Sequence, residues 1–491
     1  MEDTIVAIST PVGEGGIGIV RLSGRSALSI ADRVFVSKDK AKPSRFKTYT
    51  VHYGHIVRRT SLRAPKGRIN PIEIASSPRQ VGAPRNDKST HNEIIDEVIL
   101  TVMRAPKSYT KEDIVEINCH GGIVPLRKVL ELVLNLGARL AEPGEFTKRA
   151  FMNGRIDLAQ AEAVLDVIRS KTESSMKVAL GQLEGELSGK INRMKKEVLD
   201  VLSEIEARID FSEEDIELAP KKGLSRKLAR ISEEMRELID DAKKGIIFKE
   251  GIMCVICGKP NVGKSSLMNA FLRRNRVIVT PIPGTTRDAI EEDIILKDIP
   301  IRVVDTAGIS AARNIAERHG IQKSKSYIKT ADLILFMLDS SKAWSKVDAG
   351  ILNKIRDRNF MVIVNKSDLP KRLDLKRVKR LTRKDNIIEV SLLKKKNLNT
   401  IEEAILEEIW HGRLPHPEGT FITNLRHKKD LERARKRVKK AVNALREDAF
   451  FKPEIAASDL REAIFFLSSI LGETIGPDIL DRIFSKFCIG K

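Results

Sequence analysis

Short runs of alternating or continuous apolar residues dominate the first third of the chain. Runs of this kind, bounded by turn-forming residues, are typical of β-strands. They predict strands at Thr4–Ile8, Ile17–Leu22, Val51–Val57, Glu97–Met103 and Asp113–Asn118. A helical pattern follows from about Ile123 to Leu136. Together these elements predict an α+β domain over residues 1–155.

Helical periodicity replaces the strand pattern over residues 156–249 and again over residues 413–491. Apolar residues recur at helical spacing in Ile156–Ile168, Asn424–Leu445 and Ser458–Leu471. Long amphipathic helices of this kind pack into bundles. Because the two segments flank a region with a different pattern, we predict one helical domain into which residues 250–412 are inserted.

Strands and helices alternate within residues 250–412. Short apolar runs at Ile301–Asp305, Leu333–Asp339, Met361–Asn365 and Ile387–Ser391 predict buried strands of a mainly parallel sheet. The predicted fold class is therefore multidomain α/β and α, with an α+β domain, a helical bundle and an inserted α/β domain.

A glycine-rich loop connects the first strand of the inserted domain to a helix. The sequence Gly-Lys-Pro-Asn-Val-Gly-Lys-Ser-Ser at 258–266 follows an apolar run that begins at Ile252, in the order of a phosphate-binding P-loop. Lys264 would lie near the β- and γ-phosphates, and the Ser265 hydroxyl would bind Mg²⁺. We expect nucleotide contacts from Asn261, Val262, Gly263, Lys264, Ser265 and Ser266.

Further motifs follow the P-loop in the order of a Ras-like GTPase. In Asp-Thr-Ala-Gly at 305–308, Asp305 can hold Mg²⁺ through water. In Asn-Lys-Ser-Asp at 365–368, the Asp368 carboxylate accepts two hydrogen bonds from guanine, whereas adenine offers no matching donor pair. Thr286 lies on a turn-rich loop that can order around Mg²⁺. We assign further nucleotide contacts to Asp305, Thr306, Ala307, Gly308, Asn365, Lys366, Asp368 and Ser391.

One catalytic feature of Ras-type enzymes is missing. These enzymes place a glutamine directly after the glycine of the Asp-Thr-Ala-Gly motif, where it orients the attacking water. Ile309 occupies that position, and its side chain forms no hydrogen bond. Another polar group must therefore orient the water, or intrinsic hydrolysis is slow.

The chain is basic and poor in aromatic residues. It contains 88 Lys and Arg against 67 Asp and Glu, a formal net charge of +21, with 4% aromatic residues. This balance favours a polyanionic partner such as nucleic acid and argues against a base-stacking platform. Residues 58–88 are predicted to form a basic, disordered insertion, which is one candidate for contact with RNA phosphates. A basic helical face is the second candidate; this face carries Arg433, Arg435, Lys436, Arg437, Lys439 and Lys440. For both, the alternative is a surface that contacts only solvent.

The cysteines and the hydropathy pattern indicate a reducing, cytoplasmic protein. Four cysteines are too few and too scattered for a disulfide framework. Cys254 and Cys257 resemble half of a metal or redox site, but positions i and i+3 of a strand point to opposite faces. We expect both to be buried as small apolar residues. No apolar run approaches the roughly 20 residues of a membrane span.

The C-terminal sequence Ile483–Lys491 carries a family resemblance. Combined with the P-loop and the motifs Gly-Thr-Thr-Arg-Asp, Asp-Thr-Ala-Gly and Asn-Lys-Ser-Asp, with Asp3–Ala7 and with Asp157–Glu162, it resembles the MnmE (TrmE) family of tRNA-modification GTPases. The resemblance covers the chain except residues 58–88. It implies a tetrahydrofolate-binding, dimerising N-terminal domain and a G domain inserted into a helical domain.

The resemblance also implies a reaction and its partners. With an FAD-containing partner, MnmG (GidA), the family adds a carboxymethylaminomethyl or aminomethyl group to C5 of wobble uridines in tRNA. A 5-formyl- or 5,10-methylene-tetrahydrofolate supplies the carbon unit, and glycine or ammonium supplies the nitrogen. The chain would act as a homodimer within a heterotetramer, with FAD on the partner.

A K⁺ site and a replacement for the missing glutamine are implied in the same way. Asn261 matches the family's K⁺-coordinating asparagine, and Thr280, Ile282 and Thr285 would contribute further oxygens. Glu317 matches the water-orienting glutamate. The rest of this loop would contact GTP through Pro281, Pro283, Gly284 and Thr286.

The matching residues for folate are spread along the chain. Arg21, Glu116, Arg155 and Lys491 stand at the family's pterin-binding positions, although lysine is also seen at position 155. Cys488 matches a functional cysteine near the modification site. Ser391-Leu-Leu departs from the usual Ser-Ala-Lys, so guanine selection would rest more on Asp368.

Two other functions compete with this interpretation. An RNA- or ribosome-assembly GTPase of the Era/Der kind shares the nucleotide motifs, but it predicts no folate site and no such C-terminal sequence. A prenylated membrane switch would use Cys488 in a C-terminal lipidation motif, but Gly490 and Lys491 fit that motif poorly.

Overall fold

The computed structural model describes residues 3–60, 91–210, 220–275, 291–305, 326–410, 418–446 and 453–491. The chain divides into two compact units. Unit 1 comprises Met1–Ala161 with Ile475–Lys491, and unit 2 comprises Glu162–Thr474. Within the described ranges, no helix is both long enough and apolar enough to cross a membrane.

The strands of unit 1 precede those of unit 2 along the chain. They are β1 (Ile5–Ile8), β2 (Gly18–Ser23), β3 (Phe35–Ser37), β4 (Thr50–Thr60), β5 (His91–Met103), β6 (Ile114–Cys119), β7 (Arg139–Leu140), β8 (Ile252–Gly258), β9 (Glu291–Leu296), β10 (Ile299–Asp305), β11 (Leu333–Asp339), β12 (Phe360–Asn365) and β13 (Ile387–Glu389).

The described helices occur in both units. They are α1 (Ala27–Val34), α2 (Ile123–Leu134), α3 (Glu145–Met152), α4 (Leu158–Arg169), α5 (Glu173–Leu183), α6 (Glu186–Asp210), α7 (Lys221–Glu250), α8 (Lys264–Asn275), α9 (Lys346–Ile355), α10 (Leu375–Thr382), α11 (Leu398–Trp410), α12 (Leu425–Arg446), α13 (Pro453–Leu471) and α14 (Pro477–Phe484).

Unit 1 is an α+β fold built on a seven-stranded sheet. Its strand order is β3-β4-β5-β6-β2-β1-β7, and every pair is antiparallel except β1 and β7. Alternate residues of β2 and β6 face helices α1 and α2, where Val20, Leu22 and Ile117 are fully buried with Leu126. The predicted strands of this domain are confirmed. Helices α1 and α3, which are only two turns long, went unpredicted.

The last residues of the chain belong to unit 1, although the sequence groups residues 413–491 as helical domain. Lys148 of α3 forms an ion pair with Asp481 of α14 at 2.6 Å. The Gly144 amide donates to the Cys488 carbonyl at 3.3 Å. A side chain at Gly490 would collide with the Ile8 carbonyl, 2.5 Å from the position of its Cβ. Helical periodicity cannot reveal such contacts, because they depend on residues distant in sequence.

The predicted insertion at 58–88 begins too early. Strand β4 continues to Thr60 and pairs with β5, placing Arg58 opposite Glu93. Their side chains lie 3.6 Å apart. The hydrophobic pattern did not predict this extension, because Arg58–Thr60 are polar and a strand exposed to water on both faces needs no alternating apolar residues. Residues 61–90 lie outside the described part.

Unit 2 contains a helical bundle formed by two distant chain segments. Helices α6 and α7 precede the inserted domain, and α12 and α13 follow it. Their apolar faces share one core that includes Ile191, Leu228, Met235, Leu431 and Leu467. The bundle is thus interrupted in sequence by the α/β domain but continuous in space.

The inserted domain of unit 2 surrounds a six-stranded sheet. Its order is β13-β12-β11-β8-β10-β9, parallel except for the antiparallel edge strand β9. Cys254 and Cys257 of β8 are both fully buried and join different apolar clusters, which confirms that they are core residues. Strand β9 went unpredicted because acidic residues interrupt its apolar pattern.

A buried network of charged side chains links α4 to α7 and α12. Glu162 contacts Nε2 of His427 at 2.7 Å and Nη2 of Arg426 at 3.1 Å. One turn along α4, Asp166 pairs with Lys249 of α7 at 2.8 Å. Burial alone would raise the pKa of Glu162, but His427, Arg426 and Lys249 outweigh it and lower the pKa to about 2. The network therefore stabilises unit 2 as long as Glu162 is ionised.

Replacing Glu162 with glutamine should destabilise unit 2 in a pH-dependent way. The lowered pKa corresponds to a stabilisation on the order of 3 kcal/mol at neutral pH. This contribution is complete above the unfolded-state pKa of about 4.5 and is lost as the pH falls toward about 2. We expect the variant to need less urea for helix unfolding at pH 7, and the difference from wild type to narrow at pH 3, as followed by circular dichroism.

Glu237→Gln is the matched control, because Glu237 is exposed on the same bundle. It should shift the urea midpoint little at either pH. Equal shifts for the two variants, or a Glu162→Gln shift that does not change with pH, would contradict the role assigned to the network.

Candidate nucleotide-binding site

The P-loop joins the end of β8 to the start of α8. Gly258 and Gly263 have φ values of +157° and +106°, and Asn261 has a φ of +64°. Glycine adopts such angles freely, and asparagine tolerates them better than most residues. The chain therefore makes a compact turn that leads into the N-terminus of α8. Backbone amides at a helix N-terminus are suited to bind phosphate.

Lys264 and Ser265 occupy the positions expected of phosphate and magnesium ligands. The Lys264 ammonium donates to the carbonyls of Gly258 and Lys259 at 3.2 and 3.1 Å, so it lies within the loop. Burial lowers the pKa of Lys264, and the nearby carboxylate of Asp305 partly opposes this effect. A phosphate would favour the charged ammonium further.

The side chains of Ser265 and Asp305 fit a magnesium ion. The Ser265 hydroxyl donates to Oδ2 of Asp305 at 2.9 Å. The other carboxylate oxygen, Oδ1, is buried and has no hydrogen-bond partner among the described residues. Hydroxyl and carboxylate oxygens are the ligands that Mg²⁺ prefers, directly or through water. A hydrated ion bound here would also satisfy the unpaired oxygen.

Asp368 is oriented by a serine from another loop. The Ser391 hydroxyl donates to Oδ1 of Asp368 at 2.5 Å and lowers the pKa of this carboxyl. Lys366 is held in turn by Asp339 at 2.7 Å. The Asp368 carboxylate is thereby kept ionised and in place to accept hydrogen bonds from a base.

Asn365 connects the base-binding loops to the P-loop. Its amide nitrogen donates to the Val262 carbonyl at 2.8 Å, and its amide oxygen accepts from the Leu392 backbone at 3.2 Å. A Cβ on Gly263 would lie only 2.3 Å from Nδ2 of Asn365. Position 263 therefore requires glycine for space as well as for its backbone angle. The Leu392 contact uses a backbone amide, so the departure from Ser-Ala-Lys leaves it intact.

The P-loop and the base-binding loops enclose a cavity of about 980 Å³. It is large enough for a nucleotide, since ligand pockets commonly span several hundred Å³. Among the predicted contacts it brings together Asn261, Gly263, Lys264, Ser265, Ser266, Asn365, Lys366 and Asp368. Ser391 lies behind Asp368 and acts through it.

Sequence reasoning missed a charged pair that supports the P-loop. Lys259, the second residue of the loop, contacts Oδ2 of Asp348 at 2.5 Å and the Ser345 hydroxyl at 3.1 Å. Asp348 also caps α9, because it accepts from the amide and hydroxyl of Ser345. The capping sequence before α9 is a local signal of helix start, but nothing local indicates its contact with the loop.

Several predicted site residues lie outside the described ranges. They are Thr280, Pro281, Ile282, Pro283, Gly284, Thr285, Thr286, Thr306, Ala307, Gly308 and Glu317. Their assignment to K⁺, Mg²⁺, the γ-phosphate and the attacking water stays a prediction.

A second candidate site lies in unit 1, between β2, β6 and the C-terminus. Arg21 pairs with Glu116 at 2.7 Å, and both side chains are mostly buried. Arg21 also donates to the Gly490 carbonyl at 3.2 Å. The structure thus brings Arg21 and Glu116 next to the residue that precedes Lys491. Arg21 and Glu116 pair because they lie opposite each other on the adjacent strands β2 and β6.

Arg155 lies against Tyr109, a tyrosine that is also close enough to Arg21 to interact with it electrostatically. The Arg155 guanidinium lies 4.6 Å from the ring centre of Tyr109. Burial raises the pKa of Tyr109 despite a hydrogen bond of 2.9 Å with Thr147. Tyr109 escaped sequence reasoning because no motif surrounds it. Cys488 is exposed, as a reactive thiol must be.

Replacing Asp368 with asparagine should change base selection. The amide would point a donor at the donors of guanine, so we expect GDP affinity to fall about 10- to 100-fold. Xanthosine diphosphate, which offers a carbonyl in place of the guanine amine, should bind more tightly than to wild type. Fluorescence titration with both nucleotides measures this change. Asp385→Asn, at an exposed residue of the same domain, should alter neither affinity; parallel losses for both nucleotides would contradict the prediction.

Known proteins match this chain over its whole length. Residues 4–155 match the family model of the GTP-binding protein TrmE N-terminus, and residues 158–488 match that of the MnmE helical domain. The tRNA modification GTPase MnmE of Alkaliphilus oremlandii is 43% identical over 491 residues, which is 100% of both chains. That of Thermoanaerobacter pseudethanolicus is 45% identical over 489 residues, covering 100% of this chain and 99% of the relative. That of Geobacillus kaustophilus is 43% identical over 490 residues, with the same coverage.

These matches include the N-terminal and helical domains, which an assembly GTPase of the Era/Der kind is not expected to share. They therefore overturn that alternative. With full-length relatives at this level of identity and family models that match its N-terminal and helical domains, the chain belongs to the MnmE family of tRNA modification GTPases and is a GTP hydrolase.

Proposed function

We propose that this chain couples K⁺-stimulated GTP hydrolysis to the modification of wobble uridines in tRNA. Acting in the cytoplasm as a homodimer with the FAD-containing partner MnmG, it would add a carboxymethylaminomethyl or aminomethyl group to C5. A 5-formyl- or 5,10-methylene-tetrahydrofolate would supply the one-carbon unit.

The observation that carries the proposal is the arrangement of Arg21, Glu116 and Gly490 in unit 1. A carboxylate beside a guanidinium can recognise a ring that carries neighbouring N–H donors and a carbonyl, which is the hydrogen-bonding edge of a pterin. The contact between Arg21 and the Gly490 carbonyl brings the C-terminal residues to this site. A GTPase switch without carbon chemistry has no need of this second polar cluster.

The geometry of Asn261 supports a cation at the P-loop. Its left-handed backbone and its place on the cavity wall allow a side-chain oxygen to approach the phosphates. A bound K⁺ would neutralise charge that develops during phosphoryl transfer, as an arginine finger does. In this proposal Thr280, Ile282 and Thr285 complete the K⁺ site, Thr286 joins Ser265 at Mg²⁺, and Glu317 orients the attacking water.

The cation proposal predicts a difference between potassium and sodium. GTP turnover by the wild-type chain should be higher by tenfold or more in KCl than in NaCl at equal ionic strength, an expectation equal to about 1.4 kcal/mol of barrier. Asn261→Gly keeps the backbone free to adopt its positive φ but removes the side-chain oxygen. It should abolish most of the difference, as measured by phosphate release.

Asn353→Ala, at an exposed position of α9, is the control and should retain the potassium effect. Equal wild-type rates in the two salts would remove the cation from the proposal. A persistent potassium effect in Asn261→Gly would remove Asn261 from the cation site.

The folate proposal predicts a loss of tRNA modification with GTP hydrolysis retained. In a strain that lacks this gene, the wild-type chain should restore the modified wobble uridines, as measured by mass spectrometry of tRNA nucleosides. Glu116→Gln should restore little of them, because the amide cannot accept a paired hydrogen bond as the carboxylate does. The purified variant should still hydrolyse GTP, since Glu116 lies in the other unit.

Glu131→Gln, at an exposed helix position of unit 1, is the matched control and should restore modification. Wobble uridines that are unchanged by deletion of the gene would refute the proposed reaction. Full restoration by Glu116→Gln would refute the role of this carboxylate.

A further inference from the structure

Helix α12 carries a charge unlike that of its neighbours in the bundle. It contains ten Lys and Arg against Asp430 and Glu432, a net charge of +8. Helix α6 has five basic and six acidic residues, and α13 has one and three. Helix α7 has nine and six. The positive excess of the bundle is therefore concentrated on one helix.

Six of the ten cations of α12 fall into two groups. The first group contacts neighbouring helices. Arg437 pairs with Asp459 at 2.9 Å and with Glu462 at 2.7 Å, both on α13. Arg435 donates to the Ser232 carbonyl of α7 at 3.1 Å. The sequence placed Arg435 and Arg437 on the exposed basic face; their contacts correct this, because they hold the bundle together.

The second group is exposed to solvent and forms a row. Lys429, Arg433, Lys436 and Lys440 are exposed and are spaced by four, three and four residues. This spacing keeps them on one side of an α-helix over roughly 16 Å. Within the described residues, Lys429, Lys436 and Lys440 have no ion pair or hydrogen bond. Arg433 has a long contact of 3.7 Å to Asp430, and its guanidinium lies 5.6 Å from the ring centre of Phe466 on α13. We call this row the α12 stripe.

The surface between α6 and α7 shows the contrasting arrangement. There exposed charges of opposite sign are paired across the two helices, with Arg193 and Glu234 at 2.7 Å and Arg230 and Glu197 at 2.5 Å. Like charges spaced four residues apart destabilise a helix, so the pairs Lys429 with Arg433 and Lys436 with Lys440 lower the stability of α12. A solvated helix face needs no such row, whereas a polyanion would compensate it.

We propose that the α12 stripe binds the phosphate backbone of the tRNA substrate. The inference rests on the proposed function, which makes a structured RNA the substrate. Lysine ammonium groups are compact charges suited to phosphate oxygens, and α12 contains no Phe, Tyr or Trp that could stack on a base. The stripe therefore positions the RNA and does not read its sequence.

The test compares two triple variants of the full chain with equal loss of charge. The first carries Lys429→Gln, Lys436→Gln and Lys440→Gln. The control carries Lys190→Gln, Lys196→Gln and Lys243→Gln, at exposed lysines of α6 and α7 that also form no ion pair within the described residues. Fluorescence anisotropy measures the Kd for an unmodified tRNA transcript at several salt concentrations.

Loss of three phosphate contacts should weaken binding and flatten its salt dependence. The slope of log affinity against log salt should fall by about three for the stripe variant, roughly one for each lysine. The control should keep the wild-type slope. The single variants Lys436→Gln and Lys440→Gln should each lower the slope by about one. Unchanged GTP hydrolysis and circular dichroism establish that the variants are folded.

Three results would overturn the inference. Equal losses in the stripe and control variants would indicate a general effect of net charge. Unchanged tRNA binding by the stripe variant would remove the stripe from the interface. Unchanged tRNA binding together with lost binding to phosphatidylserine vesicles would assign the stripe to a membrane surface.

The nucleoside measurement keeps this outcome separate from that of the proposed function. If wild type restores the modified uridines but the stripe variant binds tRNA normally, only the stripe fails. If the stripe variant loses tRNA binding but wild type restores no modification, the proposed reaction fails and the RNA contact stands.

Discussion

The nucleotide site depends on one buried side chain, the amide of Asn365. It donates to the P-loop carbonyl of Val262 and accepts from the backbone of Leu392, so it fastens the P-loop to the loop that carries Leu392. Its position leaves no room for a side chain at residue 263. Parallel strands place both loops at the same edge of the sheet, and Asn365 fixes their separation. Lys264 and Asp368 then line the same cavity.

The P-loop is also connected to the helical bundle through a short length of chain. Helix α7 ends at Glu250, Gly251 turns with a φ of +76°, and β8 leads directly to the loop. The end of α7 is anchored by the ion pair of Lys249 with Asp166 and by packing of Phe248 against Phe421. A rearrangement around GTP would therefore act on a helix that is held by buried charges. This connection supports a coupling of hydrolysis to the bundle.

The charged residues of unit 2 have three distinct roles. Those around Glu162 are buried and paired, so they stabilise one arrangement of helices. Those in the cavity are held in place by single neighbours, as Lys366 is by Asp339, and are suited to bind a ligand. Those of the α12 stripe are exposed and unbalanced, which is the pattern of a surface that meets a polyanion. Sequence composition does not distinguish these roles, because it gives only the net charge of the whole chain, +21.

The amino-acid sequence by itself determined the fold class, most of the described strands and the candidate nucleotide-binding residues of the P-loop. These features are local: apolar alternation reflects a strand, and the P-loop residues act through backbone geometry within a few positions. Tertiary structure decided the contacts between distant residues. It placed Ile475–Lys491 in unit 1, brought Lys259 to Asp348 and Arg155 to Tyr109, and paired some cations of α12 with neighbouring helices while others are exposed. The physical reason is that an ion pair or a close backbone contact depends on distance in space, and periodicity along the chain carries no information about that distance.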